Sequence, residues 1–184
     1  MFYILESKHH ELVGMISYEN SGWGLHFTKG KLLDPDFGHG ETSIELESNH
    51  DSIPDYFELT ATPIVSEKFV NHLKALPLDN YQLFPVLINM PDSQIMGHYI
   101  FNVIGRLSCI DKDASDTKMY EDDIMRLNKL VFKEDFDQSL QLFRADEYPL
   151  VIFISEQVKI GLEGGALTGF LINPADGWGD KHRF

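Results

Sequence analysis

Two stretches of this chain carry apolar residues at helical spacing, and both open in the same way. VSEKFVNHL, from Val65 to Leu73, and ISEQVKIGL, from Ile154 to Leu162, each set an apolar β-branched residue before Ser-Glu and continue to a spaced Leu. Phe69, Leu73 and Leu76 share one helical face in the first, Val158 and Leu162 in the second. Ser66 and Ser155 are then N-caps, whose hydroxyl oxygens accept a hydrogen bond from an otherwise unpaired backbone N–H. Glu67 and Glu156 follow, where a negative charge suits the positive end of the helix dipole. Val65 is placed to staple onto Val70. Pro77 stops the first helix, and Gly164-Gly165 can end the second by taking left-handed dihedrals. No general base is spaced near either serine, so capping explains the pair better than a catalytic Ser-Glu motif does. A true duplication is a further reading, resting on two short matches.

Strand-like runs bracket both helices. YFELTATPI precedes the first and YQLFPVLINM follows it; PLVIFI precedes the second and LTGFLI follows it. Near the start, FYIL, MISY and GLHF read as short strands, and ETSIELES alternates with Ile44 and Leu46 inward and Glu45 and Glu47 outward. LLDPDFGHGE, with Asp-Pro, Gly38 and Gly40, reads as a loop. Further on, a strand is expected from about Tyr99 to Ile104, then one helical turn and a strand ending at Phe132 within MYEDDIMRLNKLVF, then two strands within SLQLFRADEYPLVIFI. Strands outnumber helices, without the regular alternation of a βαβ series. The expected class is α+β: a single domain with a mixed or largely antiparallel sheet and two main capped helices.

Length and charge narrow the function. The 184 residues, 43% apolar and 12% aromatic, are enough to fill a globular interior. No run approaches a membrane span, and MFYILESKHHEL turns charged too early for a signal peptide, so a soluble cytoplasmic protein is expected. With 29 acidic against 15 basic residues the net charge is −14, which repels phosphate backbones and favours a basic protein partner over nucleic acid. The same surplus also serves plain solubility. Cys109 is the single cysteine, which excludes an internal disulfide and a multi-thiolate metal site, and its apolar flanks suit a buried side chain.

Several motifs invite chemistry. In DKDASDTKMYED the oxygens of Asp111, Asp113, Ser115 and Thr117 alternate as in a calcium loop. Asp116 stands where that loop needs Gly, and Asp122 where it needs a bidentate Glu, so turn capping is the better role for Asp111 or Ser115. His9-His10, His39 with Glu41, and His50 with Asp51 lack the HExxH spacing. GLEGGALTG contains no phosphate-binding glycine loop, and Trp178 in DGWGD reads as a ring covering a core edge. No metal, cofactor or catalytic residue is assigned. The densest charge lies in ETSIELESNHDSIPDYFE, where Glu41, Glu45, Glu47, Asp51, Asp55 and Glu58 occur without a Lys or Arg. These are the candidate partner-binding residues, the alternative being a merely solvated strand.

YIFNVIGRLSCIDKDAS followed by LFRADEYPLVIFISEQVKIGLEGGALTGFLI resembles the core of the type-eleven immunity-protein family of bacterial polymorphic toxin systems. IPDYF and PIVSEKFVNHL resemble its middle. The resemblance spans residues 53–172, leaving 1–52 as a β-rich variable part and 173–184 as a tail. It implies a non-enzymatic protein that binds and neutralises a cognate toxin, and it brings no catalytic residue. The expected partner is a toxin, basic on charge grounds, with no direct nucleic acid and no membrane; a homo-oligomer is compatible with the sequence. The rival expectation is a small soluble enzyme or ligand- or metal-binding protein with a site near Asp111, Asp113 and Arg144.

Overall fold

The computed structural model describes residues 1–8, 12–17, 24–34 and 43–180. The chain begins with β1 (Phe2–Ser7) and β2 (Gly14–Ser17), then a short 3-10 helix (Gly24–Thr28) and β3 (Ser43–Leu46). A hairpin, β4 (Tyr56–Leu59) and β5 (Thr62–Ser66), leads into α1 (Glu67–Lys74), and two long strands follow, β6 (Tyr81–Met90) and β7 (Ser93–Val103). After β8 (Arg106–Leu107) come a hairpin of β9 (Asp116–Tyr120) and β10 (Asp123–Lys129), then β11 (Leu142–Ala145) and β12 (Ile152–Ser155). The described part closes with α2 (Glu156–Glu163) and β13 (Phe170–Pro174).

One sheet is ordered β2-β3-β6-β7-β5-β4, a second β13-β1-β12-β11-β8, and β9-β10 stands as a two-stranded ribbon. Both large sheets are mixed, since β3 runs parallel to β6 and β8 parallel to β11 among antiparallel neighbours. The two sheets share a central apolar layer. Tyr3, Leu5 and Ile154 enter it from the five-stranded sheet, Val65, Phe101 and Val103 from the six-stranded one, with Phe69 and Leu73 of α1 and Val158 and Leu162 of α2 between. The outer face of the six-stranded sheet carries a second cluster, including Ile44, Phe57, Phe84 and Ile100. A third cluster on the far face of the five-stranded sheet takes Phe2, Ile4, Leu127, Phe143 and Trp178, with the ribbon packed over it. Strand alternation dictates this layering, because neighbours such as Tyr3 and Ile4 must face opposite clusters.

The two Ser-Glu segments leave different sheets, α1 from β5 and α2 from β12, and meet in the central layer. Ser66 Oγ accepts from Phe69 N–H at 3.2 Å and Ser155 Oγ from Val158 N–H at 3.4 Å. Val65 and Val70 are buried in one cluster. The helix ends differ from expectation at one point. Gly164 is right-handed at φ −68°, and the left-handed residue after α2 is Ala166 at φ 46°. Gly165 is required instead for closeness: a Cβ there would lie 2.7 Å from the His72 ring of α1.

Two other expectations are corrected. GLHF is not a strand but the 3-10 helix, which turns Phe27 inward to pack edge-on against Phe84 at 5.9 Å. MYEDDIMRLNKLVF contains no helical turn; its reversal is made by left-handed Glu121 at φ 51° between β9 and β10, whose Ile124 and Leu127 are buried. Short apolar runs do not distinguish strand from turn until a partner surface selects one. The strand expected from about Tyr99 begins at Ser93. Trp178 and Asp180 do close a core edge: Trp178 is buried, and Asp180 accepts from Tyr148 Oη at 2.7 Å and Leu127 N–H at 3.1 Å.

Candidate partner-binding face

β3 holds the centre of the acidic stretch. Ile44 and Leu46 fill the outer cluster, and the alternation turns Glu45 into solvent on the opposite face. Antiparallel register sets Met15 of β2 opposite Glu45, and parallel register sets Asn89 of β6 beside it. Asn89 Nδ2 donates to Glu45 Oε1 at 2.5 Å, and Ser43 Oγ donates at 3.1 Å. Both donors are neutral, so they orient the carboxylate without cancelling its charge. Glu47 is exposed just beyond the strand, its N–H bonded to Val13 O at 3.0 Å. Asp51 is exposed in the following loop. Asn49 ties that loop to the β6–β7 turn, donating to Asp92 Oδ2 at 2.5 Å and accepting from Asp92 N–H at 3.2 Å. Asp92 thereby joins the group as a carboxylate that the sequence does not reveal, since it lies far along the chain and only the turn returns it.

The remaining candidates are used differently. Asp55 accepts from Ser66 Oγ at 2.6 Å, from Thr168 N–H at 2.9 Å and from Thr168 Oγ1 at 3.1 Å, with Lys68 Nζ 3.6 Å away. Burial alone would raise its pKa, but the hydrogen bonds from Ser66 and Thr168 and the Lys68 charge outweigh it and hold the carboxyl below the ordinary aspartate value. Glu58 is half-buried and accepts from Tyr56 Oη at 2.7 Å. Asp55 and Glu58 therefore brace the frame from which Glu45, Glu47 and Asp51 project. Glu41, like His9, His10 and His39, lies outside the described residues.

The rival site does not assemble around its three residues. Asp111 and Asp113 line an open groove of about 640 Å³ with Ser108, Lys133 and Glu147, but Arg144 is not among its walls. Arg144 is fully buried, with Nη1 donating to Pro149 O at 2.7 Å. Within the groove, Lys133 Nζ donates to Ser108 Oγ at 2.5 Å and to Glu147 Oε1 at 2.8 Å, and Ser108 Oγ donates to Glu147 Oε1 at 2.7 Å. This trio superficially suggests a serine activated by lysine. The electrostatics oppose it: the bond to Glu147 raises the Lys133 pKa, keeping it an ammonium with no lone pair to accept a proton. Burial pushes Glu147 up, yet the bonds from Lys133 and Ser108 bring it below the ordinary glutamate value. Cys109 is buried and its thiol is pushed up to about 12, first by burial and then by the Glu147 charge, so it is no nucleophile near neutrality.

Asp111 Oδ1 accepts from Asp113 N–H and Ala114 N–H, each at 3.0 Å, and Ser115 Oγ accepts from Val131 N–H at 2.9 Å. The Asp111 oxygen thus caps the turn, while the Ser115 hydroxyl ties the loop to Val131. Among the described residues, no group of three or more His, Cys, Asp or Glu side chains is arranged to hold a metal ion. Nor is any helix among them long and apolar enough to cross a membrane.

No curated protein shows a significant match to the chain. A family model does: the Immunity protein family (Imm11) matches residues 36–176. The matched region takes in the whole acidic stretch 41–58, so that stretch cannot be set apart as lying outside the family's shared region. With most of its length matched, from before β3 to the end of β13, the chain belongs to the Imm11 immunity protein family.

Proposed function

We propose that this protein is a non-enzymatic antidote that binds a cognate bacterial toxin and holds it inactive, acting in the cytoplasm. The observation that carries this reading is the family match over residues 36–176. The charge balance supports a basic partner: a net charge of −14 favours encounter with a cationic surface and disfavours direct contact with nucleic acid. The docking residues we assign are Glu45, Glu47 and Asp51, with Glu41 in the same stretch, while Asp55 and Glu58 support them from the frame.

The test is co-expression with the toxin domain encoded in the adjacent reading frame. Cells producing both proteins are expected to grow where the toxin alone arrests them, and the pair is expected to co-purify. Failure to protect together with failure to co-purify rejects the reading. Protection without a stable complex would show that the protein acts on the toxin or its product by some other means.

A further inference from the structure

Among the described residues, the face of the six-stranded sheet that lies against the central layer is covered for only part of its length. Along β6 the row facing that layer starts at Tyr81 and Leu83, which pack against the central cluster, and continues through exposed Pro85 to half-buried Leu87 and Asn89. Across the sheet, register aligns Leu87 with Ser43 and Ser17, and Asn89 with Glu45 and Met15. Met15 is 60% exposed, and Val13, just before β2, is 52% exposed. At one end, then, two helices and a second sheet bury this face, and at the other, among the described residues, Val13 and Met15 at the edge strand meet water beside the polar row of Ser43, Glu45 and Glu47. Exposed apolar side chains grouped beside polar ones mark interaction surfaces.

Its charge narrows the occupant. β2, β3, β6 and β7 contain no Lys or Arg, and among the described residues β3 and its continuation put Glu45 and Glu47 on this part of the face. A second copy of the chain docking there by two-fold symmetry would set these carboxylates against their own equivalents. An anionic lipid surface is repelled for the same reason. A cationic protein surface carrying apolar side chains is attracted on both counts, its charge meeting the carboxylates of β3 and its apolar groups meeting Met15 and Leu87 beside them.

We propose that the exposed β2-β3-β6 face, with Glu45 and Glu47 along its middle strand and Met15 and Leu87 on the strands to either side, is the surface on which the toxin's basic face seats. This rests on the immunity reading and adds to it a place and an apolar anchor.

Methionine oxidation tests it on the unmodified protein, because an exposed thioether is oxidised by peroxide and a covered one is not. Met15 lies on the proposed face, whereas Met119 and Met125, 40% and 59% exposed, lie on the β9–β10 ribbon at the other side of the molecule. The toxin domain from the adjacent frame is the probe. In its complex, Met15 is expected to lose its sulfoxide formation while Met119 and Met125 keep theirs. A second measurement uses Met15→Arg, whose side chain is already in water and whose fold should survive. It is expected to weaken binding about 30-fold or more, since it removes an apolar anchor and sets a cation against the partner's basic face. A complex in which Met15 oxidises as freely as in the free protein overturns the proposed face and leaves the immunity reading standing. Protection of the ribbon methionines alone does the same and relocates the contact. Absence of any complex or protection overturns both.

Discussion

The Ser66 hydroxyl donates to the Asp55 carboxylate at 2.6 Å while its oxygen accepts from Phe69 N–H at 3.2 Å, so one side chain caps α1 and anchors the segment leading into β4. Asp55 carries the link on to Thr168, between α2 and β13. Ser155 caps α2 with longer bonds, 3.4 Å from Val158 N–H and 3.3 Å to Gln141 Oε1. Replacing Ser66 with Ala should cost about 1–2 kcal/mol, and replacing Ser155 about 0.5–1 kcal/mol, with toxin protection intact once expression is matched. Urea unfolding measures the difference. Equal losses would show that the bond to Asp55 adds nothing beyond capping.

His98 should make the protein acid-sensitive. Burial lowers its pKa below the ordinary 6.5, and the backbone at Met96 and Pro54 and the charge of Asp55 oppose this without overcoming it. A base whose folded pKa is depressed binds its proton more readily when unfolded, so stability is full above about 6.5 and declines as pH falls toward the folded value. His98→Gln should flatten the stability profile in that window. A wild-type slope in the mutant would assign the acid loss to other groups.

Gly169 should be the more sensitive of two left-handed glycines. Its φ is +95°, and a Cβ would fall 2.1 Å from Tyr56 O and 2.5 Å from Pro54 Cβ. Gly97 has φ +82° with nothing within 4 Å of its would-be Cβ. Gly97→Ala should therefore cost about 1 kcal/mol, the backbone penalty alone, and Gly169→Ala clearly more. Thermal unfolding of the two variants compares them. Similar melting temperatures would mean that the Tyr56 segment yields at little cost.

Charge reversal should separate steering from solvation at the acidic edge. Glu45→Lys with Glu47→Lys is expected to slow toxin association while leaving the fold unchanged, since both side chains stand in water. The wild-type on-rate should fall as salt rises, and the mutant's should respond less. Stopped-flow association across a salt series measures this. An unchanged on-rate in the folded double mutant would move the binding surface away from β3.

The residues by themselves determined what local physics controls. Ser before Glu at the head of an apolar period caps a helix wherever it folds, and Ile44, Glu45 and Leu46 alternate because side chains in a strand must. An apolar-flanked Cys109 was readable as buried for a similar reason. What depended on distant partners was not readable. GLHF became a 3-10 helix because Phe84 offered a place for Phe27, and Asp55 became a brace because folding brought Ser66 and Thr168 to it. The rival reading groups Arg144 with Asp111 and Asp113, yet β11 carries it into the interior, away from the groove walls. The β2-β3-β6 face belongs to this second kind: Met15, Glu45 and Leu87 are far apart in the chain, and the pairing of β3 with β2 on one side and β6 on the other puts them on one surface. Strand order is decided by long-range burial and loop closure, so such a surface arises only when the sheet is assembled.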